Sequence, residues 1–180
     1  LSDGGWEIAT TEWSFGAGAV PAFQLPGPIR VRGRVDRIDV NHRQRQFLVI
    51  DYKTGSTNVS GAAIQRGESF QLPLYLLAVS EFLFPDYEPV GALCYNLREM
   101  SLRDGIVHRD RLPEGLEISP RSSTLVLPKQ WDSLFENTCR KVCEVVQSIE
   151  EGRFPPAPTP CRPRCPFRDV CRLRLAGTAP

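Results

Sequence analysis

At 180 residues, with 22 Lys and Arg against 21 Asp and Glu and a net charge of +1, the chain is sized for one domain with its own core rather than two. The balanced charge does not by itself announce a nucleic-acid partner, and no apolar run approaches the ~18 residues of a membrane span. The opening Leu1-Ser2-Asp3-Gly4-Gly5 lacks the charged and apolar regions of a signal peptide and has no initiator Met, so the sequence is expected to be a piece of a longer protein.

Mixed apolar and polar residues predict a strand over Trp6 to Phe15, followed by a Gly/Pro-rich loop from Gly16 to Pro28. From Ile29 the pattern alternates: Ile29, Val31, Gly33 and Val35 fall on one face, and Arg30, Arg32, Arg34 and Asp36 on the other. The apolar positions then shift to Ile38 and Val40, which predicts a bulge or bend at Asp36. Asn41 to Gln46 reads as a turn, and the continuous run Phe47-Leu48-Val49-Ile50 as a central strand covered on both faces, paired as an antiparallel hairpin with the strand before it. Thr54 to Gly67 reads as a loop. A helix is predicted over Ser69 to Phe84, with Ser69 as N-cap, Pro73 in the first turn, and Leu72, Leu76, Val79 and Leu83 as its stripe. Val90 to Leu97 is a further strand, and Arg98 to Thr124 is irregular or short-stranded. A long helix from Lys129 to Glu151 is expected to pack through Trp131, Phe135, Val142, Val146 and Ile149. A Pro-rich linker, Phe154 to Pro160, leads into a Cys- and Arg-rich end. The expected organisation is a core over 1–153 with the segment 154–180 packed on it, and the fold class is α/β, a mixed central sheet flanked by helices.

Arginine is unevenly spread. Arg30, Arg32, Arg34 and Arg37 share one segment, Arg43 and Arg45 the next turn, and Arg153, Arg162, Arg164, Arg168, Arg172 and Arg174 crowd the C-terminus. Such patches suit phosphate contacts, or are solvated surface. His42 and His108 read as surface residues. Of the six cysteines, Cys94, Cys139 and Cys143 are expected in the core. Cys161-x₃-Cys165-x₅-Cys171 has the short spacing of a soft-metal site, a stronger reading than disulfides without a secretory signal.

Asp51 and Lys53, two apart on a strand, share a face, and the hairpin brings Asp36 alongside. Two nearby ionised carboxylates repel each other, and a hard divalent cation, Mg²⁺ or Mn²⁺, relieves the repulsion. Such a cation activates water and offsets phosphate charge, while a lysine positions the water or stabilises the transition state. A plain salt bridge is the competing reading of the same residues. Gln71 and Tyr75, an i, i+4 pair, are placed to face the strand ends, where Gln71 can bond a base edge, a phosphate or the lysine, and Tyr75 a phosphate.

Gly33-Arg34-Val35-Asp36-Arg37-Ile38-Asp39, Val49-Ile50-Asp51-Tyr52-Lys53-Thr54-Gly55 and Gln71-Leu72-Pro73-Leu74-Tyr75, in this order, resemble the RecB-like branch of the PD-(D/E)XK nuclease superfamily, including its AddB type. Glu12-Trp13-Ser14-Phe15 resembles that branch's E-x-x-F strand. The resemblance implies a restriction-endonuclease-like fold, Mg²⁺ or Mn²⁺ at Asp36 and Asp51 with help from Glu12, a catalytic Lys53, substrate support from Gln71 and Tyr75, and a structural Asp39 paired with an Arg. It also implies that Cys161, Cys165 and Cys171 belong to a 4Fe–4S site whose fourth Cys lies outside the sequence, as does a His-bearing helix usual before the E-x-x-F strand. By the same resemblance the chain is the exonuclease module of a cytoplasmic, nucleoid-associated helicase–nuclease acting in DNA recombination and repair, with DNA and a helicase as partners and no membrane. The alternative is a weak or inactive DNA-binding or scaffolding module that keeps the nuclease fold; a small cysteine–metal structural module is a third class, disfavoured by the length.

Overall fold

A computed structural model describes residues 4–55, 59–154 and 170, without the side chain of Arg103. The chain divides into two compact units, Leu1–Glu144 and Val145–Pro180. The expected cysteine tail, Cys161, Cys165 and Cys171, lies outside the described residues.

The first unit is built on a six-stranded mixed sheet. Its strands are β1 (Glu7–Phe15), β4 (Gly33–Asn41), β5 (Gln46–Lys53), β6 (Glu88–Asn96), β7 (Ser101–His108) and β8 (Leu125–Val126), in that spatial order. β5–β6 and β7–β8 are parallel and the other pairs antiparallel. A separate two-stranded ribbon joins β2 (Phe23–Gln24) to β3 (Arg30–Val31). The long connection from β5 to its parallel neighbour β6 carries α1 (Gly61–Gln65) and α2 (Gln71–Phe82), since parallel strands need a crossover.

The apolar run in β5 behaves as a central strand should. Phe47 and Val49 enter the core between sheet and helices, with Leu72, Leu76, Val79, Trp131 and Leu134; Leu48 and Ile50 enter a second cluster on the opposite face, with Trp6, Val90, Leu93 and Val107. Trp131 and Leu134 belong to α3 (Pro128–Glu150). Strand alternation then sets the facing of the residues at the end of β5. Asp51 and Lys53 continue the parity of Phe47 and Val49 and emerge on the α2 face, while Tyr52 turns to the other face and meets Tyr95 edge-on.

Several expectations change in detail. Val35 and Ile38 both face the helical core although three residues apart, so β4 switches facing around Asp36 as the sequence predicted. The register shift, however, falls on β1 between Ile8 and Thr10, and the left-handed residue is Glu12 (φ 54°), between the pairs Thr11↔Arg37 and Trp13↔Val35. Ser69 is not the N-cap of α2: the helix starts at Gln71 with Phe70 as cap and no side-chain cap bond, while Pro73 does fall in the first turn. The stretch expected to be a loop holds α1, capped by Ser60, whose side chain accepts from Ala63 N. The stretch expected to be irregular holds the eight-residue β7. Ile149 on α3 is exposed rather than packed.

Candidate active site

The adjacent interior strands β4 and β5 assemble the site. Arg37 pairs with Ile50, which brings Asp36 opposite Asp51. Asp36 is anchored there by the main chain: Tyr52 N donates to its Oδ2 at 2.8 Å. Sequence reading missed this anchor, because a backbone donor leaves no residue-type signal. Asp51 is 3% exposed. Its Oδ1 accepts from Gln71 Nε2 at 3.1 Å, and its Oδ2 lies 2.5 Å from Lys53 Nζ. Oδ2 is buried and has no other polar partner among the described residues.

Gln71 ties the pair together. Its Oε1 accepts from Lys53 Nζ at 3.2 Å, and its Nε2 also donates to Tyr75 OH at 3.1 Å. Of the partners open to it from sequence, Gln71 thus takes the lysine and, in addition, Asp51. The i, i+4 spacing stacks Gln71 and Tyr75 on one helix face, and starting α2 at Gln71 aims its first turn at the end of β5. Gly33 permits this closeness: a Cβ there would lie 2.9 Å from the Phe15 ring and 3.0 Å from that of Tyr75.

Electrostatics track the burial. Burial raises the Asp51 pKa, the contact with Lys53 opposes the rise, and the charge of Asp36 adds to it. For Lys53, burial acts downward, but the Asp51 contact and the charges around it win, and the net shift is upward. Lys53 is therefore an ammonium at neutral pH. Cys94, the register partner of Asp51 on β6, is pushed up to about 12, first by burial and then by the Asp51 charge.

The remaining candidates occupy different settings. Glu12 is across the strand pair from Asp36, but its carboxylate pairs with Arg34 at 3.0 Å, both side chains exposed. Asp39, 1% exposed, takes a two-point bond from Arg37, Nε to Oδ1 at 2.6 Å and a terminal nitrogen to Oδ2 at 2.7 Å, on the sheet face away from Asp51. His42 is exposed and paired with Glu7, as expected of a surface residue. His108 is not a surface residue: it is 7% exposed, edge-on to Trp131, and accepts from Asp110 N. Cys94 is buried as expected, whereas Cys139 and Cys143 are half-buried, Cys139 against the helical core.

The residues fit a hard divalent cation. Two carboxylates meet on adjacent strands, one holding a buried oxygen that only Lys53 reaches among the described residues. Among the described residues no three of His, Cys, Asp and Glu gather as a metal cluster. A cation here would complete its shell with water and phosphate, as Mg²⁺ commonly does with one or two protein carboxylates.

The model of the PD-(D/E)XK nuclease superfamily matches residues 1–172. Over 121 residues the chain is 42% identical to a protein from Moorella thermoacetica named as a subunit of an ATP-dependent helicase/deoxyribonuclease, covering 61% of this chain and 10% of the relative. A protein of the same name from Carboxydothermus hydrogenoformans is 27% identical over 163 residues, 83% of this chain and 15% of the relative. One from Lachnoclostridium phytofermentans is 37% identical over 76 residues, 38% of this chain and 7% of the relative. The chain spans 7 to 15% of the length of these curated relatives. Among the described residues no helix is long and apolar enough to cross a membrane. With its mixed sheet flanked by helices and its matched length, the chain belongs to the PD-(D/E)XK nuclease superfamily.

Proposed function

We propose that this chain is the metal-dependent DNA-cleaving module of a larger helicase–nuclease, hydrolysing phosphodiester bonds at Asp36, Asp51 and Lys53. The observation that carries the reading is the buried Asp51 carboxylate, in contact with Lys53 and opposite Asp36 on the adjacent strand. Burying a carboxylate this way is costly, and a fold with no use for the group would do better with an apolar residue of the same size.

Asp36 and Asp51 are the residues that would hold Mg²⁺ or Mn²⁺, which when bound supplies Lewis acidity and offsets charge on the phosphate. Lys53 is an ammonium in the metal-free site, held by its contact with Asp51. It places a positive charge against the phosphate oxygens as water attacks phosphorus and the P–O bond to the leaving oxygen breaks. Gln71 keeps Lys53 and Asp51 in register and holds the amine near the scissile group. The Tyr75 hydroxyl accepts from Gln71 and keeps its own proton for a phosphate oxygen. Glu12 joins the site only when Arg34 releases it.

The relatives' printed names, helicase/deoxyribonuclease subunits, support DNA as substrate and a helicase as partner. Cys161, Cys165 and Cys171 remain proposed ligands of a 4Fe–4S cluster in the longer protein, tested by iron and sulfide analysis after anaerobic purification.

The test of the main proposal is cleavage of labelled single-stranded DNA in Mg²⁺, Mn²⁺ or EDTA by the wild type and Asp51→Ala. Cleavage is expected only in the wild type with metal. Cleavage that survives EDTA or the substitution sinks the assignment, and DNA binding without cleavage under every condition favours a module that keeps the fold without the chemistry.

A further inference from the structure

Of the three tryptophans, Trp6 and Trp131 are buried, 5% and 4% exposed, and Trp13 is half-buried. Trp13 stands on β1, an edge strand of the sheet, and packs against the helical core, on the face where Asp51, Lys53, Gln71 and Tyr75 lie. Phe15 stacks on it, with ring centroids 5.6 Å apart and planes inclined by 29°. Phe15 in turn meets Tyr75 edge-on at 6.2 Å. The Tyr75 hydroxyl accepts from Gln71 Nε2, which also donates to Asp51. An unbroken row of contacts joins the indole to the candidate site.

The local backbone turns Trp13 to this face. Residues two apart on a strand ordinarily share a face, which would send Trp13 the way of Thr11. Thr11 pairs with Arg37, whose guanidinium bonds Asp39 and Tyr52 on the far face. Trp13 instead pairs with Val35, which enters the helical core. The residue between them, Glu12, is left-handed (φ 54°), a strained conformation for a side chain with a Cβ, and the facing reverses across it. Phe15, 1% exposed, fixes the indole from one side. Among the described residues no second ring covers the other side, and the indole N–H has no hydrogen-bond partner and is not buried. A tryptophan that served packing alone would be closed over, as Trp6 and Trp131 are.

We propose that Trp13 is a stacking platform for an unpaired base of the DNA strand, next to the phosphate held at Asp36 and Asp51. The proposal rests on the nuclease reading and adds how the substrate is gripped. Every base has a π-face, so an indole platform accepts any of them and reads no sequence. It does select single strands, because the bases of a duplex are already stacked on one another. The indole N–H is placed to donate to a carbonyl of the base. Phe15 keeps the platform in position, and the row through Tyr75 and Gln71 fixes its distance from the catalytic carboxylate, so the stacked base sets where the neighbouring phosphate falls.

The test titrates the 180-residue chain in EDTA with an oligothymidine and with an abasic deoxyribose-phosphate oligomer of the same length, for the wild type, Trp13→Phe and Trp13→Leu, each checked for fold by circular dichroism. Thymine stacked on the indole is expected to quench the tryptophan emission of the wild type. The quench is expected to be absent with the abasic oligomer, and absent in Trp13→Phe, which keeps Trp6 and Trp131. By anisotropy of the labelled oligomers, Trp13→Leu is expected to bind oligothymidine about 5- to 150-fold more weakly, the worth of one base–aromatic stack, and the abasic oligomer as the wild type does. The slope of log affinity against log salt is expected to stay at its wild-type value, since no phosphate contact is removed. A quench that survives in Trp13→Phe, an equal loss of affinity for both oligomers, a Trp13→Leu that binds oligothymidine like the wild type, or a wild type that does not bind would overturn the platform. If Trp13→Leu fails to fold, the quench in the wild type and Trp13→Phe against the two oligomers decides alone. Restoring metal separates the two proposals: a chain that shows the quench but never cleaves refutes the nuclease reading alone, and one that cleaves without the quench refutes the platform alone.

Discussion

Replacing Asp51 by Asn is expected to destabilise the metal-free fold and to end catalysis. Asp51 is 3% exposed, its Oδ1 accepts from Gln71 Nε2 at 3.1 Å and its Oδ2 lies 2.5 Å from Lys53 Nζ. An Asn that keeps its oxygen on Gln71 turns its NH2 toward the Lys53 ammonium, donor against donor, and the reverse orientation sets the NH2 against Gln71 Nε2. A buried polar group left unsatisfied in this way costs about 1–3 kcal/mol. Burial and the charge of Asp36 disfavour the ionised carboxylate, so removing its charge returns part of that cost. A net loss of about 1 kcal/mol corresponds to a Tm lower by about 2–4 °C for a chain of this size. Thermal unfolding by circular dichroism in EDTA reads it. Adding Mg²⁺ or Mn²⁺ at ~100 times its Kd is expected to stabilise the wild type by about 2.7 kcal/mol and Asp51→Asn far less. A variant that melts above the wild type in EDTA, or gains as much from the metal, would refute the reasoning, because Asp51 would then neither be matched to Lys53 nor hold the cation.

The packing carries three further expected outcomes. Gly33→Ala is expected to cost about 1–3 kcal/mol in urea unfolding and to lower cleavage, since the new methyl meets the rings of Phe15 and Tyr75; wild-type stability would contradict the close approach. Arg37→Ala leaves the 1% exposed Asp39 without its two-point partner and is expected to cost about 3–5 kcal/mol, part of which Asp39→Asn restores in the double variant; additive losses would argue against a coupled pair. His108 has its pKa lowered from 6.5, first by burial and then by Arg111, with Asp110, Glu88 and Asp132 opposing. A folded-state value below the unfolded one means that the unfolded chain binds the proton first. The stability is therefore full above the unfolded pKa and is lost as pH falls through the folded one. Wild-type Tm is expected to drop more than that of His108→Gln between neutral pH and pH ~5, and parallel drops would show that His108 is not the group responsible.

The central pair was legible because its signals are local. Four consecutive apolar residues before Asp51 announce a strand buried on both faces, and alternation alone then places Asp51 and Lys53 together. Asp36 was legible through the parity change, which occurs, although the left-handed residue beside it is Glu12 on the neighbouring strand. The features that stayed hidden depend on partners distant in sequence. β7 is interrupted by Gly105 (φ +121°), a residue that argues against a strand until Ala92 is seen so close that a side chain there would collide. α1 has only five residues, and Gly61 reads as loop until the Ser123 carbonyl is found where its Cβ would be. His108 is buried by Trp131, twenty-three residues on, and Ser69 was displaced as cap because α2 begins two residues later, where Gln71 is needed. Glu12 carries the expected residue type in the expected strand, but its carboxylate is engaged by Arg34, a contact that residue order does not encode.

The most direct test of the site is the single-turnover rate of DNA hydrolysis by Lys53→Ala in saturating Mn²⁺, with binding to the same oligonucleotide measured in EDTA. The expected result is a rate lowered by about 10²–10³ with binding close to wild type, as removal of one charge-stabilising group should give. Hydrolysis at the wild-type rate would contradict the assignment of Lys53, and with it the site built around Asp51.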